Sequence, residues 1–161
     1  MPRQKLVIYP GSFDPPTNGH LDLIRRASAM FNHVVVGVLR NESKAALFTV
    51  EERMEMLAEA TADLDNVSVD SFSGLLVDYA RSRDAKLILR GIRAISDYEY
   101  ELQMALMNRH LHPELETLFM PAAEKFSYLS SRLVKEVNRL GGDIARLVPP
   151  NVADRLAAKS K

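Results

Sequence analysis

The sequence predicts an α/β fold: a doubly wound, five-stranded parallel sheet followed by a helical C-terminal part. Three observations carry this. Short runs rich in branched residues alternate with longer stretches of helical periodicity. Several of the short runs are apolar throughout, as strands covered by helices on both faces are. After the fifth short run only helical patterning remains.

The strands are expected at Lys5–Tyr9, His33–Leu39, Val67–Asp70, Leu87–Leu89 and Thr117–Met120. Helices are expected between them near Gly19–Met30, Val50–Ala62, Leu75–Ser82 and Asp97–Leu111. Two of these open on a capping-box pattern, Thr49 with Glu52 and Ser96 with Glu99, in which each side chain satisfies an orphan N–H. The helical tail reads as Ser130–Leu140, stopped by Gly141-Gly142, and a last helix from about Pro150. Strand–helix alternation implies right-handed crossovers, and ligands of such sheets bind at the carboxyl ends of the strands. Those ends lie just after Tyr9, Leu39, Asp70, Leu89 and Met120.

At 161 residues the chain is expected to form one domain spanning 1–161. Apolar residues are 47% and charged residues 26% of the chain, which excludes disordered and low-complexity classes. Lysine plus arginine equals aspartate plus glutamate, 21 against 21, so no global field draws the chain to nucleic acid or to an anionic membrane. With no cysteine there is no disulfide, thiolate nucleophile or thiolate metal site, a composition that a reducing cytoplasm permits. The apolar stretch Val34–Leu39 is far too short to span a bilayer, and the start of the chain reads as a strand rather than a signal peptide.

The loop after the first strand runs Pro10-Gly11-Ser12-Phe13-Asp14-Pro15-Pro16-Thr17-Asn18-Gly19-His20. It contains neither a GxGxxG fingerprint nor a Walker A motif. It offers small residues that let backbone approach a ligand, a stiff Pro15-Pro16 turn, and a histidine at a helix start, where orphan N–H groups suit a phosphate. The helix dipole disfavours a charged imidazole at His20 and a bound phosphate favours one; the sequence leaves that balance open. Read alone, His20 is equally a capping or surface residue.

Gly11-Ser12-Phe13-Asp14-Pro15 followed by Thr17-Asn18-Gly19-His20 resembles the T/HxGH motif of the nucleotidylyltransferase superfamily. Further segments narrow the resemblance. They are Ser43-Lys44 before Phe48-Thr49-Val50-Glu51-Glu52-Arg53, Arg90-Gly91-Ile92-Arg93, Met107-Asn108-Arg109-His110-Leu111, and Ser127-Tyr128-Leu129-Ser130-Ser131. From about Leu6 to Asn151 the chain resembles the bacterial phosphopantetheine adenylyltransferases. That resemblance implies a Rossmann-like fold and the transfer of an adenylyl group from ATP to 4′-phosphopantetheine. It also implies a cytoplasmic homohexamer and Mg²⁺ held mainly by substrate phosphates. A nucleotidylyltransferase acting on nicotinamide mononucleotide or using CTP, and a non-catalytic nucleotide-binding module, are the alternatives.

By the same resemblance His20 is the transition-state stabiliser, and Lys44 and Arg90 hold the acceptor. Ser12 contacts both substrates, and Leu76 lines the acceptor pocket. Phe13, Gly91, Ile92, Arg93 and Glu101 are ATP-side positions. So are Phe126, Ser127, Tyr128 and Leu129, together with Ser130, Ser131 and Arg132. No dedicated metal ligands are expected. Ser12 stands where many members have threonine. Arg132 replaces a third serine, so a cation there either takes a phosphate or points away. The face Tyr98, Leu102, Ala105 and Leu106 reads as core or subunit contact.

Overall fold

A computed structural model describes residues 5–40 and 45–161. The strands are β1 (Leu6–Gly11), β2 (His33–Leu39), β3 (Val67–Phe72), β4 (Leu87–Ile92) and β5 (Glu116–Pro121). The helices are α1 (Asn18–Met30), α2 (Val50–Ala60), α3 (Leu76–Ser82), α4 (Ile95–Leu111), α5 (Ser131–Arg139) and α6 (Pro150–Lys159). The strands form one parallel sheet in the order β3-β2-β1-β4-β5. The chain steps outward from β1 to β3 and then returns to β4 on the other side of β1. The strand order therefore reverses between β1 and β4, which opens a crevice at their carboxyl ends.

Period-two alternation assigns the two sheet faces. Val7, Tyr9, Val34, Val36 and Val38 pack with Leu21, Ile24 and Ala27 of α1 and Leu57 of α2. Ile8, Val35 and Ile88 turn the opposite way, against Val77 and Ala80 of α3 and Leu115. The tail is fixed by a third cluster, in which Val134, Val148, Val152 and Leu156 meet Phe48 and Met56. Arg155 adds ion pairs to Glu55 and Glu59 of α2. No helix among the described residues is long and apolar enough to cross a membrane.

Most element boundaries differ from the sequence reading by one to three residues, and three of the differences bear on the crevice. β1 continues through Pro10 and Gly11, which pair with Gly37 and Val38. β4 continues through Arg90, Gly91 and Ile92, which pair with Phe119, Met120 and Pro121, so these residues belong to the strand and not to a loop after it. The box at Thr49 forms, with Glu52 N–H on Thr49 Oγ1 at 3.1 Å and Thr49 N–H on Glu52 Oε2 at 2.8 Å. Ser96, expected to cap the next helix, lies inside it instead. α4 starts earlier, after Ala94, with no side-chain cap, and Asp97 in its first turn accepts the Arg93 N–H at 3.3 Å.

Asp14, which follows Phe13 in the β1–α1 loop and precedes a cis Pro15, ties distant segments together. Its Oδ2 accepts the Leu47 N–H at 2.9 Å and its Oδ1 the Phe48 N–H at 2.9 Å. Lys135 of α5 reaches the same carboxylate at 2.9 Å. One buried side chain thus fixes the segment entering α2 and the start of the helical tail against the first loop.

Candidate active site

The crevice between β1 and β4 holds two adjoining cavities. Pro10, Gly11, Ser12, Arg90 and Glu101 line both. The first, about 260 Å³, lies on the α1 side. Gly19 and His20 in the first turn of α1 line it, as do Ser130 and Ser131 at the start of α5. Two helix N-termini therefore open on one space, and Arg90 and Arg93 add two cations. Orphan N–H groups, dipole ends and guanidinium groups together favour a polyanion.

His20 is built into the cap of α1. Thr17 is the N-cap, and its Oγ1 accepts the His20 N–H at 3.3 Å. In return the Thr17 backbone N–H donates to His20 Nδ1 at 2.9 Å. A backbone amide can only donate, so Nδ1 carries a lone pair and Nε2 carries the proton of the neutral ring. Burial, followed by the charges of Arg93 and Arg90, pushes the imidazole pKa down to about 4. The balance left open by the sequence thus falls to the neutral form in the free protein. The ring is held edge-on to Phe13, with centroids 5.0 Å apart. Phe13 itself adopts φ 52°, a left-handed conformation that costs a non-glycine residue on the order of 1–3 kcal/mol. Its ring lies over Gly11, where an added Cβ would sit 3.0 Å from the ring.

Arg90 is the hinge of the two cavities. Its Nε and Nη2 donate to Glu101 Oε2 and Oε1 at 2.8 and 2.6 Å, and its Nη1 donates to the Pro10 carbonyl at 2.7 Å. The bidentate fork leaves Arg90 little rotational freedom. It also engages both oxygens of Glu101, which is 8% exposed. Arg93 is held in a similar way. Its Nε meets Asp97 Oδ2 at 3.0 Å and its Nη1 the Leu129 carbonyl at 2.8 Å, which joins β4 to the loop before α5.

The second cavity, about 420 Å³, lies on the α3–α4 side. Leu39, Phe72, Leu75, Leu76, Ile88 and Met104 give it an apolar wall, with Asn108 and Thr117 as polar points. It suits an extended, weakly polar arm.

Of the residues singled out in the sequence, Ser12, Phe13, His20, Gly91, Arg93 and Glu101 line the first cavity. Phe126, Leu129, Ser130 and Ser131 join them. Leu76 lines the second, and Ser12 and Arg90 line both. Four residues stand outside the cavity linings. Ile92 continues β4. Ser127 turns its hydroxyl to the Glu124 carbonyl at 2.8 Å. Tyr128 is 62% exposed. Arg132, in the first turn of α5, is exposed. Ser43 and Lys44 lie outside the described residues. Ala105, read as core or subunit contact, lines the second cavity with Met104 and Asn108. Thr17 of the motif also lines the first cavity, whereas Tyr9 and Asp97 were not assigned to a site; Asp97 stands four residues from both Arg93 and Glu101, a spacing that could have signalled it.

The cytidylyltransferase-like family model matches residues 8–137, which include most of β1, His20, Arg90 and the start of α5. The chain belongs to the cytidylyltransferase-like family. That family lies in the nucleotidyltransferase superfamily. Among solved structures, a crystal structure from Vibrio parahaemolyticus described as a nicotinate-nucleotide adenylyltransferase superposes with a TM-score of 0.72. It covers 98% of this chain and 96% of its own, at 18% identity, which is agreement of fold. This cytidylyltransferase-like chain therefore joins a Rossmann-like sheet to a polar cavity lined by arginine–carboxylate pairs and an apolar-walled one, which share Ser12 and Arg90.

Proposed function

We propose that the chain transfers the adenylyl group of ATP to 4′-phosphopantetheine, giving dephospho-coenzyme A and pyrophosphate. The observation that carries this reading is the pair of cavities meeting at Ser12 and Arg90, one lined by two helix N-termini and two arginines held by carboxylates, the other by an apolar wall. The triphosphate lies in the first, with the α-phosphate toward Ser12. The pantetheine arm lies along Leu76 and Met104 in the second, and its phosphate meets Arg90. An acceptor phosphate oxygen attacks the α-phosphorus in line, a P–O bond forms, and the bond to the bridging oxygen breaks. Pyrophosphate leaves with that electron pair. No covalent enzyme intermediate is needed, and catalysis consists of positioning and charge stabilisation. His20 Nε2–H donates to the α-phosphate as charge develops there, and Lys44 is assigned to the acceptor phosphate.

Mg²⁺ would accompany the triphosphate and neutralise part of its charge. The carboxylates of the first cavity, Glu101 and Asp97, are engaged by Arg90 and Arg93, a setting that suits a metal carried by phosphate oxygens and water.

Pyrophosphate release by the purified protein tests the reading. ATP or CTP with Mg²⁺ is combined with 4′-phosphopantetheine, nicotinamide mononucleotide, nicotinate mononucleotide or no acceptor. Release is expected only with ATP and 4′-phosphopantetheine. Release with a mononucleotide would overturn the acceptor, release with CTP the donor, and silence throughout the reaction.

The cytoplasmic homohexamer implied by the resemblance is also proposed. The oligomer is supported by exposed apolar side chains on α4 and the edge strand β5, where Tyr98, Leu106, Met107, Leu111 and Leu118 are each 38–55% exposed. Light scattering is expected to give a mass near six times 18.1 kDa; a monomer would remove the proposal.

A further inference from the structure

Tyr9 belongs to the sheet core by position and to the first cavity by chemistry. It lies on β1, is 4% exposed, and packs its ring edge-on to Phe13 with centroids 5.3 Å apart. A tyrosine so buried normally gives its hydroxyl a hydrogen-bond partner. Among the described residues Tyr9 has none: its oxygen takes part in none of their side-chain hydrogen bonds. Yet no side-chain polar atom among the described residues is both shut off from solvent and unpartnered. This directs the Tyr9 hydroxyl to the space that Tyr9 lines, the first cavity. A phenylalanine would fill the same core volume. The oxygen is the part that the packing does not explain.

The surroundings specify what the hydroxyl meets. The guanidinium groups of Arg90 and Arg93 are close enough to act on the phenol, and His20 shares its neighbourhood with a centroid separation of 6.5 Å. Two guanidinium groups, a neutral imidazole donor and two helix N-termini present N–H donors to one space, and the oxygens of an anion accept from such a set. We propose that Tyr9 is a further catalytic contact, its hydroxyl donating a hydrogen bond to an oxygen of the α-phosphate in the adenylyl group transferred from the nucleotide. Burial raises the phenol pKa above its ordinary value, so the group remains a donor through the working pH range and does not act as a base. Tyr9 and His20 then approach the phosphoryl group from two elements, β1 and α1. The inference rests on the adenylyl-transfer reading for its kinetic part only.

Two measurements test it. Tyr9→Phe removes the oxygen and keeps the ring. In the pyrophosphate assay its kcat is expected to fall about 10- to 100-fold, the worth of a hydrogen bond to a charged group, with ATP affinity within about threefold. A kcat within about twofold of the unsubstituted protein would overturn the contact. Independently, the protein is labelled with ¹³C at the tyrosine Cζ, and the Tyr9 resonance is assigned by its absence from Tyr9→Phe. It is expected to shift on addition of α,β-methylene ATP and not on addition of adenosine. If the unsubstituted protein releases no pyrophosphate, the reaction assignment fails and this shift alone decides. A shift with the triphosphate supports the contact, and equal spectra with both ligands overturn it.

Discussion

His20→Ala is expected to lower the rate of adenylyl transfer by about 100- to 1000-fold while changing ATP affinity by no more than about threefold. The asymmetry follows from how the ring is held. Thr17 fixes Nδ1 as an acceptor, so the single proton sits on Nε2. A neutral donor gains most where charge accumulates, on the α-phosphate in the transition state, and less against the delocalised charge of the ground state. Steady-state turnover combined with direct binding of ATP separates the two. Equal losses in both would mean that His20 only binds nucleotide.

The same geometry fixes a pH signature for that variant. The pKa of His20 in the folded chain is about 4, below the ordinary value of 6.5 that it regains on unfolding. Protonation therefore favours the unfolded state. Stability contributed by the neutral ring is complete above about pH 6.5 and is lost as pH falls toward 4. The unsubstituted protein is expected to lose more urea resistance between pH 7 and pH 5 than His20→Ala does. A pH-independent difference between them would contradict a neutral, buried ring.

Much of this architecture was legible because two signals agreed. Runs such as Val34–Val36 are both β-branched and continuously apolar, so propensity and two-sided burial gave one answer. The strand ends were less legible. Pro10-Gly11 is a turn signal by composition, yet pairing with Gly37 and Val38 holds it in β1. Ser96 and Glu99 satisfy a local capping pattern, but the exit from β4 starts the helix at Ile95, where Asp97 takes the Arg93 N–H. In the site, the motif positions came from resemblance. The acceptor-side residues of α4 were harder, because that helix is apolar around much of its circumference and periodicity selects no face. Tyr100, Met104 and Asn108 follow one another at intervals of four and line one cavity wall, a stripe that becomes informative only once the sheet is placed beside it. Long-range ties such as Lys135 to Asp14, separated by 121 residues, have no local signature.

Arg90→Lys is expected to lower kcat/KM for the acceptor by about 100-fold, and Glu101→Gln by about 10-fold. The reason lies in the fork. Arg90 donates through three nitrogens at once, two to Glu101 and one to Pro10. A lysine retains the charge but offers a mobile point where a planar group had been fixed between the cavities. Glutamine retains the shape of Glu101 but turns one of its two acceptors into a donor facing the guanidinium. It also removes the charge from a pair whose side chains are 32% and 10% exposed. Neither change opens a large void, so loss of fold is not the expected cause; urea midpoints of both variants check this. The double variant discriminates between two roles for Glu101. If it acts by positioning Arg90, adding Glu101→Gln to Arg90→Lys costs little more than Arg90→Lys alone, because the group being positioned is already lost. If the two losses multiply, Glu101 makes its own contribution on the nucleotide side, the role that resemblance alone assigns to it. With both carboxylate oxygens bonded to Arg90, the geometry favours the first outcome.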